Sequence, residues 1–79
     1  MYLIYGKVVK PYRSITGVYH EPQSMFRALN KYGVRVTSLN KAYQYTSKEE
    51  AQEIIDKAKN NLKKSGHDNC VEFEIRKSK

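Results

Sequence analysis

The chain opens on Tyr2-Leu3-Ile4-Tyr5-Gly6-Lys7-Val8-Val9, a run of aromatic and branched side chains that stops before Pro11. Such a run predicts a strand. Its first residues are apolar on both faces, as in a strand that lies centrally in a sheet or beneath helices. Residues 10–21 carry Gly17 and no helical period, which predicts an excursion with a short strand around 18–20. Glu21-Pro22 then reads as a helix start, with proline at the first helical position. Met25, Phe26, Leu29 and Tyr32 follow at helical spacing and Gly33 suits the residue after the helix, so a helix of about ten residues is expected. Residues 34–37 read as a strand, 38–41 as a turn and 42–45 as the partner strand of a hairpin.

The clearest pattern lies further on. Thr46 or Ser47 can cap a helix, and Glu49 or Glu50 three residues later can close a capping box. Ala51, Ile54, Ile55, Ala58 and Leu62 form one apolar stripe, with Lys and Glu on the other face. Lys57, Lys59, Lys63 and Lys64 cluster late, where cations favour the negative end of the helix dipole, and Gly66 ends the element. Val71, Phe73 and Ile75 alternate with Glu72, Glu74 and Arg76, which predicts a strand with one buried face.

The resulting order, β-α-β-β-α-β, predicts a single α+β domain over residues 1–76, with a frayed basic tail at 77–79. Two strand–helix–strand units of this kind form a ferredoxin-like, four-stranded antiparallel sheet with both helices on one face and the opposite sheet face free. If the short middle hairpin fails, the fallback is a three-stranded sheet with one long helix. Seventy-nine residues sit near the size at which one core just suffices. The single cysteine, Cys70, excludes an intramolecular disulfide. No apolar stretch is long enough for a membrane span or a signal-peptide core, so the expected location is cytoplasmic.

Charge sharpens this picture. The chain has 15 basic and 8 acidic residues, a net charge of +7 and seven tyrosines. Through Thr46, seven basic residues face only Glu21, and all seven tyrosines fall there; beyond it, eight basic residues face seven acidic ones. A field of one sign draws in polyanions or acidic protein surfaces. Tyrosine adds a ring to stack and a hydroxyl to hydrogen-bond. A basic groove lined with stacking rings is how proteins hold single strands. Lys7, Lys10, Arg13, Arg27, Arg35 and Lys41 are accordingly the expected phosphate contacts, and Tyr12, Tyr19 and Tyr43 the expected stacking residues. Tyr2, Tyr5, Tyr32 and Tyr45 are expected in the core or in cross-strand pairs.

Catalysis is not expected. The only compact cluster, His67-Asp68-Asn69-Cys70, could in principle join a thiolate to an oriented imidazole. Its spacing fits a polar helix-to-strand turn better. With at most three ligands and no second cysteine, it is not expected to hold a structural metal either. No glycine-rich phosphate loop is present, and no cofactor is expected.

Two resemblances add to this reading. Ala42-Tyr43-Gln44-Tyr45-Thr46-Ser47-Lys48-Glu49-Glu50-Ala51, continuing to Ile54 and Ile55, resembles the third strand and second helix of RNA-recognition-motif domains, and Ile4-Tyr5-Gly6 loosely matches their other short motif. The resemblance implies the sheet-and-helix fold. The positions whose rings stack on RNA in that family correspond here to Asn40 and Ala42, so the stacking side chains are missing. The same segment, preceded by Leu39-Asn40-Lys41, also resembles small accessory proteins encoded by phages and prophages of Gram-positive bacteria. That likeness covers about 25 residues and implies a protein that binds host machinery or a defence system in the host cytoplasm. Taken together, these features predict a non-enzymatic binding protein for nucleic acid, with docking on an acidic host protein surface as the alternative.

Overall fold

The computed structural model describes residues 1–14 and 16–78. It contains strands β1 (Tyr2–Val8), β2 (Tyr12–Arg13), β3 (Tyr19–His20) and β4 (Arg27–Ala28), a 3-10 turn at Leu39–Lys41, helix α1 (Lys48–Lys64) and strand β5 (Val71–Lys77). β1 is the centre of an antiparallel sheet ordered β4-β1-β5, and β2 and β3 form a separate hairpin. The chain is therefore α+β, with one long helix and a three-stranded sheet.

Pairing of Ile4 with Ile75, Gly6 with Phe73 and Val8 with Val71 fixes the register of β1 and β5. Because successive side chains alternate across a strand, these six residues share one face. Leu3, Tyr5, Lys7, Glu72, Glu74 and Arg76 share the other. α1 packs on the first face, against β1 and β5. Ile4, Leu29, Tyr45, Ala51 and Ile55 form the core there, with Tyr2, Phe73 and Ile75 packed around them.

The ends of α1 follow from local chemistry. The Ser47 side chain accepts from the Glu50 N–H at 3.1 Å, and Thr46 Oγ1 donates to Glu50 Oε2 at 2.9 Å. Glu50 thus reaches back to the Thr46 hydroxyl in a variant of the capping box. At the other end the Gly66 N–H donates to the Lys63 carbonyl and the His67 N–H to the Leu62 carbonyl, with Gly66 at φ 79°. This is the Schellman arrangement, which requires a left-handed residue and so favours glycine. Ser47→Ala should lower stability by about 1 kcal/mol in urea unfolding, with Ser47→Asp restoring most of it.

Three expectations in the middle of the chain are corrected. No helix forms over residues 22–32; that segment is extended and supplies β4. Arg27 pairs with Gly6 and Ala28 with Tyr5, and the Leu29 N–H donates to the Ile4 carbonyl at 2.9 Å. A helix of ten residues gains little alone, whereas the extended segment satisfies one open edge of β1. Gln23 reinforces that choice, since its Oε1 accepts from the Val8 N–H and its own N–H donates to the Val8 carbonyl. Gly33 uses its positive φ of 80° in a tight turn closed by Asn30, not as a helix terminator.

The expected hairpin of residues 34–37 and 42–45 reduces to two isolated bridges, Leu29 with Arg35 and Tyr2 with Tyr45. The turn expected at 38–41 becomes the 3-10 turn, capped by Ser38. The two-helix, four-stranded ferredoxin-like sheet is therefore not formed, and the third strand implied by the RNA-recognition-motif likeness is present only as the Tyr45 bridge. At the C-terminus the strand continues one residue past 76: Lys77 pairs with Tyr2, and Ser78 donates from its N–H and hydroxyl to the Met1 carbonyl. Lys79 lies outside the described residues. No helix among the described residues is long and apolar enough to cross a membrane.

Candidate binding surfaces

The sites expected from sequence fall on four surfaces. On the hairpin, Tyr12 pairs with His20 and Arg13 with Tyr19, so alternation sends the two pairs to opposite faces. Tyr12 stacks on His20 at 4.6 Å between ring centroids and lies 5.0 Å from the His67 ring, facing the end of α1. Tyr12 is thus half-buried in a three-ring cluster. The Arg13 guanidinium sits 5.8 Å from the Tyr19 ring centroid, and its Nη1 donates to the Gly17 carbonyl at 3.0 Å. Tyr19 is 53% exposed, and Lys10, just before the hairpin, is exposed too.

The sheet face opposite α1 carries the second set. Arg76 lies 4.1 Å over the Tyr5 ring and 6.0 Å from Phe26, and Lys7 lies 5.7 Å over Phe26. Arg76 is also bound to Glu74 at 2.9 Å. Of these residues only Lys7 was expected to bind. Phe26 was assigned to a helix and Arg76 to a plain strand face. The signal that could have placed them together is the alternation of β1 and β5, which sends Tyr5, Lys7 and Arg76 to one side.

On the α1 side, the sheet face near β4 is not covered by the helix. It forms the floor of an open groove of about 650 Å³. Gly6 and Leu29 lie in its floor, Ile54, Ala58 and Leu62 of α1 form one wall, and Val34 and Arg35 the other. Arg27 pairs with Gly6 and Arg35 bridges to Leu29, which puts both on the same sheet face; Arg35 lines the groove, and Arg27 is exposed beyond its lining. Arg35 Nη2 donates to the Met25 carbonyl at 3.1 Å, while its Nε is buried without a partner. Burial, and next the neighbouring Arg27 charge, hold the Arg35 guanidinium below its usual range.

Lys41 and Tyr43 belong to a fourth surface around the 3-10 turn. Lys41 is exposed; Tyr43 is 40% exposed and meets the Tyr45 ring edge-on at 4.7 Å. Tyr32, expected in the core, is instead the most exposed of the tyrosines at 78%, with the Lys31 ammonium 5.1 Å from its ring centroid. The helical spacing that placed it inward does not apply to an extended segment.

Tyr45 is buried and exchanges backbone hydrogen bonds of 2.8 Å with Tyr2. Burial first, then the charges of Tyr43 and Glu50, push its hydroxyl above its ordinary value of 10.0. Burial, with a smaller contribution from Cys70, does the same for Tyr12. Both groups hold their protons more tightly folded than unfolded. That stabilisation is complete below about pH 10 and is lost as pH rises through the folded values. The thermal midpoint should therefore fall as pH rises above about 10, and Tyr45→Phe should make that fall shallower.

Cys70 is buried, its N–H donates to the His67 carbonyl, and its carbonyl accepts from Val9. Asn69 takes the left-handed conformation at φ 64°, which shapes the segment as a tight connection into β5. Among the described residues no group of three or more His, Cys, Asp or Glu side chains is placed to hold a metal ion. No protein-family model matches the chain, and comparison with curated proteins and with solved structures returns no match.

Proposed function

We propose that the chain is a non-enzymatic binding protein for nucleic acid, single strands foremost. The observation that carries this reading is the lack of internal neutralisation. Among the described residues Arg76–Glu74 is the one ion pair, and the cations of the N-terminal half have no carboxylate within reach. Cations free of internal partners are what a polyanion requires, because each phosphate neutralised releases a counterion. A ring with its own cation over one face keeps the other face for a base. Arg13 with Tyr19, Lys7 with Phe26 and Lys31 with Tyr32 supply three such pairs. Lys7, Lys10 and Arg13 contact phosphates in this reading and Tyr19 stacks; Arg27 and Arg35 lie on the groove's sheet face instead.

The test is fluorescence-anisotropy titration of labelled single- and double-stranded DNA and RNA. Three phosphate contacts on a single strand should weaken binding by at least about tenfold between about 50 and 200 mM salt. Absence of binding at the lower salt rejects the proposal. The reading left standing is then docking on an acidic host protein, as in phage-type accessory proteins.

A further inference from the structure

α1 covers only the β1 and β5 side of its sheet face. A sheet face of this kind normally carries a continuous layer of helices, because each element buries its apolar side against another. Here the half nearer β4 has no helix of its own and is covered only where Leu29 packs with Ala51 and Ile55, because residues 22–32 pair with β1 instead. What remains is a trough alongside α1, floored by Gly6 and Leu29 and bounded at one end by the hairpin. The missing side chain at Gly6 lets Leu29 lie close across β1 in the floor, since a Cβ there would stand 3.3 Å from the Leu29 methyl carbons. Ile54, at 38% exposure, and Val34, at 57%, leave apolar surface along both walls.

We infer that this groove docks an acidic amphipathic helix of a protein partner, laid beside α1 to complete a two-helix layer, with its carboxylates on Arg35 and Arg27. Helices packed side by side settle about 8–10 Å apart, and an apolar trough beside an existing helix offers that spacing. The electrostatics choose the sign. No Asp or Glu lines the groove, Arg35 lines its β4 side with Arg27 exposed just beyond, in register with Gly6, and Arg35 keeps one buried N–H without an acceptor. A carboxylate there would satisfy that donor and relieve the repulsion between Arg27 and Arg35.

Nucleic acid fits less well, because the groove side of α1 presents Ile54, Ala58, Asn61, Leu62 and Ser65 and thus no cation for a second line of phosphates. A second copy of the chain also fits less well. At a net charge of +7 it would bring cations in excess of carboxylates to Arg35 and Arg27. The inference does not rest on the nucleic-acid reading, whose Lys10 and Arg13 lie outside the groove; Lys7 alone borders both.

The experiment is an amide NMR titration with a synthetic peptide of about five helical turns, leucines on one face and glutamates on the other. A scramble of identical composition serves as the control. The expected result is saturable shifts at Gly6, Val34, Arg35, Ile54, Ala58 and Leu62 with the amphipathic peptide alone. The dissociation constant should rise at least about tenfold in Ile54→Glu and in Arg27→Glu/Arg35→Glu, and stay unchanged in Lys10→Gln/Arg13→Gln, two residues outside the groove. Ile54 and Arg27 are exposed, and the same spectra report whether each variant folds. Equal binding of the scramble, shifts confined to the hairpin and the outer sheet face, or an oligonucleotide that displaces the peptide from these residues would each overturn it. So would sedimentation showing a homodimer that buries them.

Discussion

Truncating Ile55 to alanine is expected to cost about 3 kcal/mol, a large part of what holds a domain of this size folded. Ile55 is 4% exposed and packs with Ile4, Leu29, Tyr45 and Ala51. It does not line the groove. Removing its outer atoms therefore leaves a closed void that neither solvent nor a neighbour can readily fill, which places the cost inside the range of about 2–5 kcal/mol for such truncations. Net stability for 79 residues is roughly 4–12 kcal/mol. Each kcal/mol corresponds to roughly 4–8 °C in a domain of this length, so the thermal midpoint should drop by about 10–25 °C. Ile54→Ala supplies the contrast. That side chain already meets solvent in the groove wall, and its loss should cost under about 1 kcal/mol. Urea denaturation of the two variants checks the pair; similar losses for both would mean that the helix is not seated as described.

The second large effect concerns salt. Replacing Lys7, Lys10 and Arg13 together by glutamine should lower the slope of log affinity against log salt by about 2 for single strands, at roughly 0.7 per phosphate contact. The loss should be nearly equal for all oligonucleotide sequences, because phosphate contacts position a strand and carry no base information. Tyr19→Ala should instead cost about 1–3 kcal/mol at every salt concentration, since stacking is not a counterion effect. Glutamine at Lys57, Lys59, Lys63 and Lys64 removes more charge from the exposed side of α1 yet should leave the slope nearly unchanged. If the α1 variant flattened the slope as much as the triple variant, net charge alone would explain the affinity and the assigned contacts would be wrong.

The contrast between Ile54 and Ile55 also shows where sequence reading reached its limit. Both belong to the apolar stripe of α1, and periodicity ranks them alike. Only the position of the helix over β1 and β5 makes one core and the other groove wall. The same limit governed the tyrosines. Tyr45 lies inward and Tyr19 outward as the pattern predicts, whereas the helical spacing that predicts Tyr32 inward belongs to a conformation that its segment does not adopt. The outer-face group of Tyr5, Phe26, Lys7 and Arg76 joins β1, β5 and the residue just before β4, far apart in sequence, and its distances depend on the register among them.

By itself the sequence determined the elements whose stabilising partners are local or whose period runs long enough to be unambiguous. β1 and β5 have seven residues each with a clear apolar pattern. α1 has seventeen residues, with Thr46 or Ser47 and Glu49 or Glu50 marking its start and Gly66 its end. Sequence also fixed the uneven distribution of charge and tyrosine, which does not depend on folding at all. The tertiary structure decided residues 22–45. There the apolar spacing suits a short helix, but a short helix is marginal alone, and the edge of β1 offers hydrogen bonds that only an extended chain can take. That nonlocal competition turned the expected helix into β4, left half of the sheet face without a helix of its own, and so created the groove with Arg27 and Arg35 at its side.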